Sequence, residues 1–411
     1  MTSYNTHTLA NGLRIIHCPN DSDVVYCGYA VKAGTRNEHD NEVGLAHFCE
    51  HMTFKGTAHL SPMKVINALE RVGGELNAYT AKEETVYYAA VLRQHFSKAV
   101  DLLTEIVFHS EYPQEEIDKE VEVVCDEIES YRDSPAELIY DDLENELFHD
   151  QDLGHSVLGT EESVRAFTTS DCRAFTSRLY TPQRAVFYVV GNINFPALVR
   201  RLEKAFDGEH YPIDDRLCTI SQQPLPTVDA RCKTTKMDTH QAHVMMAVPI
   251  RGELDQWRMP LFLTNNLLGG PSMNSRLNIS LREKRGLVYT VESMMTTYTD
   301  TLLWSAYFGC DHNDVKRCIR LINNELERLR RAPLSSSALH SMKQQIKGQI
   351  ALASQNKENY GIDMAKQYLH YNKLKDMQRL FDRIDAVKAE DIHRLMNEVI
   401  TPDNLFTLIY T

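Results

Sequence analysis

No stretch of this sequence stays apolar for the roughly 20 residues that a helical membrane span requires, so no membrane partner is expected. The N-terminus, Met1-Thr2-Ser3-Tyr4-Asn5-Thr6-His7, has neither the basic and apolar regions of a secretion signal nor an Arg-rich amphipathic leader. A cytoplasmic location is expected on that ground. Cysteine offers no framework either: the nine residues are an odd number, scattered, with no Cys-x-x-Cys pair. Such a pattern points to reduced thiols, many of them buried, rather than a disulfide scaffold. Positive charge is also short, with 44 Lys and Arg against 57 Asp and Glu and a formal net charge of -13. Phosphate binding needs a basic face, so no nucleic-acid partner is expected. The acidic balance suits solubility and a weak attraction of cationic peptides.

What remains is the composition of a globular protein, 43% hydrophobic and 25% charged, in 411 residues. That length is too great for one ordinary core, and two domains of about 200 residues follow. Alternating apolar positions over residues 11–34 predict two strands joined at Pro19-Asn20-Asp21-Ser22. A helix is expected from about Gly44 to Phe54, with Gly56 placed to stop it, and another opens at Ser61-Pro62 and ends at Gly73-Gly74. Residues 75–80 and 84–91 read as a strand pair, and helical patterns cover roughly 95–109, 114–133 and 136–148. Ser170-Asp171 starts a helix that ends in Tyr180-Thr181-Pro182, before the strand Ala185 to Gly191. The Pro-rich, polar character of 208–235 marks a boundary, giving domains 1–210 and 233–411 around a linker, 211–232.

The end of the second half repeats the end of the first. Ser170-Asp171-(x)9-Thr181-Pro182 parallels Glu390-Asp391-(x)9-Thr401-Pro402, and both 391 − 171 and 401 − 181 give 220. A shared offset in this helix-Thr-Pro-strand punctuation implies a duplicated domain with diverged sequence.

The chemistry concentrates in His47-Phe48-Cys49-Glu50-His51. On a helix His47 and His51 share one face and Glu50 lies along the same side. Two imidazoles one turn apart can grip Zn2+, and a carboxylate beside them can take a proton from bound water. The order His-x-x-Glu-His inverts the zincin motif. Cys49 falls off that face and reads as a core filler. With 17 His in 411 residues, chance alone places such a pentapeptide in roughly a few per cent of such chains, so a third ligand is needed to support it. The acidic helix around 115–129 offers Glu120 and Glu127, seven residues and two turns apart on a face shared with Val124 and Tyr131. A carboxylate on a mostly apolar face is costly without a partner, which a metal provides. Spacing leaves Glu120 and Glu127 as equal candidates, with Glu122, Asp126 and Glu129 on solvated faces.

His47-x-x-Glu50-His51 followed by Glu127 resembles the pattern of the pitrilysin (M16) family of zinc metallopeptidases, in its short-chain branch related to bacterial and mitochondrial processing peptidases. The resemblance runs over nearly the whole chain. It implies one Zn2+ per chain held by His47, His51 and Glu127, with Glu50 as general base and Glu120 supporting the site without binding metal. Gly73-Gly74-Glu75-Leu76-Asn77-Ala78-Tyr79-Thr80 resembles the family's edge strand, implying that Asn77 and Ala78 take substrate by backbone pairing. Leu268-Gly269-Gly270 through Ser275-Arg276-Leu277 and Leu281-Arg282-Glu283-Lys284-Arg285-Gly286-Leu287-Val288-Tyr289 are similar to its second-half segments. By that likeness Arg282 and Tyr289 hold the substrate and stabilise the developing oxyanion. Pro271 departs from the family's loop, where Gly is common.

The fold so implied is α+β: two homologous α/β-roll domains, each a mixed, largely antiparallel sheet flanked by helices. The function implied is a zinc endopeptidase acting on peptides or unfolded segments in a closed chamber. Alternatives are a presequence-type processing peptidase and a non-catalytic scaffold subunit. A chain of this length is one half-molecule of such a chamber. The expected assembly is a homodimer with Arg282 and Tyr289 contributed in trans, or else a heterodimer with a metal-free homologue.

Overall fold

The computed structural model describes residues 3–209, 211, 231–252 and 254–411. Strand β1 (Asn5–Thr8) leads into a first series of elements: β2 (Arg14–Pro19), β3 (Val24–Val31), helices α1 (Leu45–Thr53) and α2 (Pro62–Glu70), then β4 (Glu75–Thr80) and β5 (Thr85–Leu92). Five helices follow, α3 (Phe96–Phe108), α4 (Gln114–Arg132), α5 (Pro135–Leu147), α6 (Glu161–Ala166) and α7 (Thr169–Leu179), before β6 (Ala185–Gly191) and α8 (Phe195–Ala205). A second series runs the same way. It has β7 (Cys232–Thr235), β8 (Ala242–Ile250), α9 (Leu254–Gly269), β9 (Val288–Thr297) and β10 (Leu302–Cys310). Again five helices follow, α10 (Val315–Arg331), α11 (Ser336–Ala353), α12 (Lys357–Tyr371), α13 (Met377–Ala386) and α14 (Ala389–Glu398), and then β11 (Phe406–Tyr410).

The sheets make the duplication plain. The first has the order β1-β2-β6-β3-β5-β4 and the second β7-β11-β8-β10-β9. Apart from β1, the two orders are the same when strands are counted within each series. Only β2 with β6 and β7 with β11 run parallel; the other neighbours are antiparallel. The fold is thus α+β with two mixed, largely antiparallel sheets. The repeated punctuation falls where the offset places it, in α7 to β6 and in α14 to β11. In both, an Asp three residues into the helix accepts the N–H of the cap: Thr168 to Asp171 Oδ2 at 2.9 Å and Lys388 to Asp391 Oδ2 at 2.9 Å. The first of these helices therefore begins at Thr169 with Thr168 as cap, slightly before the expected Ser170, because Asp171 reaches back. At α2, Ser61 has the extended cap conformation, but its hydroxyl makes no cap bond.

Packing divides the chain into two compact units, Met1–Ser130 with His155–Thr219 and Leu352–Met377, and Tyr131–Gly154 with Ile220–Ala351 and Gln378–Thr411. The chain halves 1–210 and 233–411 are therefore a different division from the units in space, and the 211–232 linker lies almost wholly outside the described residues. What moves is the third helix of each five. In the first unit, Phe187 and Val189 of β6 face a core built with α1, α3, α4 and α7, while Val186, Tyr188 and Val190 face Tyr360, Met364 and Tyr368 of α12. In the second, Val244 and Met246 of β8 face α10 and α14, while Met245 and Ala247 face Ile139, Leu143 and Leu147 of α5. Each sheet is covered on both faces, so its central strands are apolar throughout, as in Ala185-Val186-Phe187-Tyr188-Val189-Val190. At the edges, β4 and β9 keep exposed positions.

Candidate metal centre

Helix α1 starts at Gly44, whose φ of 90° lies in the left-handed region. A Cβ there would meet Gly159 Cα at 2.6 Å and Leu158 O at 2.8 Å, so only glycine fits. Since a glycine cap has no side chain to give, the orphan amides are met from outside. Glu38 Oε2 accepts from Gly44 N–H at 3.0 Å and Oε1 from Ala46 N–H at 2.7 Å. His155 Nε2 stands 2.9 Å from the same carboxylate. Leu45, Ala46, Phe48, Cys49 and Met52 then fix the helix in the core, with Cys49 fully buried among them.

This leaves His47, Glu50 and His51 on the face that meets α4. Nε2 of His47 is 3.9 Å from Glu127 Oε1, and Nε2 of His51 is 3.5 Å from Glu127 Oε2. One ligand atom from each of His47, His51 and Glu127 lies within 4.8 Å of the others. Tetrahedral zinc ligands at about 2.1 Å from the ion stand about 3.4 Å apart, so two imidazole nitrogens and a carboxylate at this spacing fit such a metal and leave a fourth position open. The cluster could bind a metal on its own donor chemistry.

Glu120 and Glu127, equal by spacing, are separated by the structure. Glu120 is buried and accepts from His51 Nδ1 at 3.0 Å, on the side of the ring away from Glu127. Lys55 Nζ pairs with its other oxygen. These contacts fix the His51 ring and tautomer, the usual task of an outer carboxylate behind a metal-binding histidine. His47 Nδ1 is buried with no hydrogen-bond partner among the described residues, so no outer carboxylate holds its ring as Glu120 holds that of His51. Glu122, Asp126 and Glu129 are exposed.

The electrostatics follow from burial. Burial, with the His51 imidazole beside it, pushes His47 down to about 3, which keeps it in the neutral form a metal requires. Burial also opposes charge on His51, but the Glu120 hydrogen bond and the Glu50 and Glu127 carboxylates outweigh it and raise its pKa. For Glu120 burial alone would raise the pKa; donation from His51 and Lys55 lowers it. Glu50 is only 8% exposed, and its burial raises its pKa against the opposing hydrogen bond from Thr80. Thr80 Oγ1 donates to Glu50 Oε2 at 2.7 Å.

Asn77 and Ala78 lie on β4, which among the described residues pairs only with β5 and so presents a free edge. Asn77 is exposed. In the second unit Arg282 belongs to a π-helical turn, Asn278–Glu283, in which Lys284 N–H reaches back to Ile279 O at 3.1 Å. Tyr289 is the second residue of β9 and 81% exposed. The Arg282 guanidinium stands 5.7 Å from the Tyr289 ring centre, so these two are brought together. Sequence reading missed Glu38, Lys55 and the bond from Thr80. Lys55 is one turn after His51, and Thr80 shares a strand face with Ala78, so periodicity carried a signal for both.

The model of insulinase (peptidase family M16) matches residues 15–161, and that of the peptidase M16 inactive domain matches 166–346. The uncharacterized zinc protease YmxG of Bacillus subtilis is 33% identical over 98% of this chain and 97% of its own length. An uncharacterized zinc protease of Mycobacterium leprae is 30% identical over 96% of this chain and 88% of its own. The crystal structure of a protease from Helicobacter pylori, 22% identical, covers 100% of this chain and 99% of that one with a TM-score of 0.91, a likeness of fold. With two matching family models and relatives that align end to end, the chain belongs to the M16 family of peptidases.

Proposed function

We propose that this chain is a zinc metalloendopeptidase with one Zn2+ per chain, held by His47, His51 and Glu127. The observation that carries this reading is the convergence of both Nε2 atoms on the Glu127 carboxylate, with Glu50 buried on the same helix face. Zinc bound there would acidify a water and polarise a scissile carbonyl. Glu50 takes the proton and later delivers it to the leaving amine. Glu120 keeps the His51 ring in place. The free edge of β4 receives an extended peptide as an added strand along Asn77 and Ala78, which favours unfolded segments over folded ones.

Arg282 and Tyr289 bind the substrate and stabilise the oxyanion, reaching the metal centre from a second copy in a homodimer that encloses the site in a chamber. The exposure of Tyr289 and its stacking with Arg282 support a role directed outward. A cytoplasmic location goes with the free thiols of the eight described cysteines. The test is Glu50→Gln: peptide hydrolysis disappears while zinc analysis still finds about one ion per chain, as a base that is not a ligand requires. Hydrolysis that survives this change would overturn the reading.

A further inference from the structure

We infer that Thr80 is a positioning residue for the Glu50 carboxylate, so that the strand receiving substrate also sets the base. The inference rests on Glu50 being that base. Among the described residues Thr80 is the one side chain hydrogen-bonded to Glu50, at 2.7 Å. The bond takes Oε2 and leaves Oε1 for proton transfer. Because Glu50 is only 8% exposed, little solvent is at hand to replace a lost donor.

Three features make this an aimed contact. Strand alternation puts Thr80 on the face of Leu76 and Ala78, which pack with α1, while Tyr79 packs on the opposite face with α12. Thr80 also has a competing acceptor, Thr85 Oγ1, but at 3.4 Å. Thr85 spends its own proton on Ala33 O at 2.7 Å, so the nearer and charged Glu50 takes the proton of Thr80. Finally, Thr80 pairs with Thr85 in the last register of β4 and β5, closed by Ala81 N–H to Glu84 O at 2.8 Å. This is the turn end of the hairpin. A peptide paired along Asn77 and Ala78 is therefore tied to the base through two residues of fixed strand, which sets the distance from scissile carbonyl to carboxylate.

The experiment compares wild type with Thr80→Val and Thr80→Ser. A freely rotating Glu50 costs about 10–100-fold in kcat for the valine variant, with KM and zinc content unchanged, and serine restores kcat to within about threefold. A valine variant within about twofold of wild type, or one whose loss falls on KM, would overturn the inference. A second readout needs no hydrolysis. Crystal structures of the zinc-free proteins should show one Glu50 carboxylate orientation in wild type and Thr80→Ser but not in Thr80→Val. An unmoved carboxylate in the valine variant would also overturn it. A wild-type protein that cuts no peptide would overturn only the peptidase reading, since the carboxylate orientation still reports on Thr80.

Discussion

The two halves of this chain have one topology and two chemistries. Between the second and third strands of its series, the first half inserts α1, with His47, Glu50 and His51, and then turns into the edge strand β4. At the same place the second half inserts α9 and the turn of Arg282, and then the edge strand β9 with Tyr289. Sheet order and apolar alternation are common to both, but the polar residues mounted on them are not. A fold is maintained by burying alternate faces, which many sequences can do, whereas a metal centre needs particular atoms within a few tenths of an ångström. The second half has no His-x-x-Glu-His, which accords with its match to an inactive domain.

The largest effect expected from breaking this division of labour is at the first half's own ligands. His51→Ala removes a donor that both Glu120 and the metal position use, and zinc content should fall from about one per chain to near zero, with hydrolysis lost alongside. The analogous change in the second half, Arg282→Ala, should leave zinc in place and lower kcat/KM about 100-fold, the scale of one oxyanion donor. Mixing Glu50→Gln with Arg282→Ala then sharpens the contrast. If each site draws Arg282 from the partner, half of the dimers after exchange are mixed and each holds one intact site, so about a quarter of wild-type activity returns. If both halves act in cis, mixing recovers nothing.

Smaller effects test the scaffold beneath. Gly44→Ala forces a Cβ against Gly159 at φ 90°, and should cost about 2–4 kcal/mol in denaturant unfolding while weakening zinc retention against a chelator. The smallest expected effect concerns α12, which Glu84 holds to the first sheet by accepting from His370 Nε2 at 2.8 Å and by pairing with Lys366. Burial would raise the Glu84 pKa, but these partners lower it below the ordinary 4.5. Its contribution is therefore present above the unfolded value and lost as pH falls through the folded one. Glu84→Gln should cost about 1–2 kcal/mol at neutral pH, and the difference from wild type should shrink between about pH 5 and pH 3. A constant difference across that range would show that the carboxylate charge is not what holds the helix.

Local signals were the ones the sequence carried openly. The strand pair 75–80 and 84–91, the helix 114–133 and the offset of 220 were legible because alternation, helical period and Thr-Pro punctuation are properties of short segments. Spacing made Glu120 and Glu127 legible as a pair but not by role, which in the sequence only the family resemblance assigned. Their two-turn spacing puts both on one face, and only the approach of α1 sends Glu127 to the Nε2 atoms and Glu120 to Nδ1. The exchange of α5 and α12 was not legible at all. An amphipathic helix announces that it will bury a face, and nothing in its period names the sheet that receives it.

By itself, then, the sequence determined the helix of His47, Glu50 and His51, the strand pair beside it, the duplication and the residue types able to hold zinc, because each is written in contiguous or periodic residues. The tertiary structure alone decided how Glu120 and Glu127 reach opposite sides of the His51 ring, that Glu38 caps α1 where Gly44 cannot, and that Thr80 grips Glu50 from β4. Those outcomes depend on distances between residues far apart in the chain, which packing within the first unit fixes and no local pattern encodes.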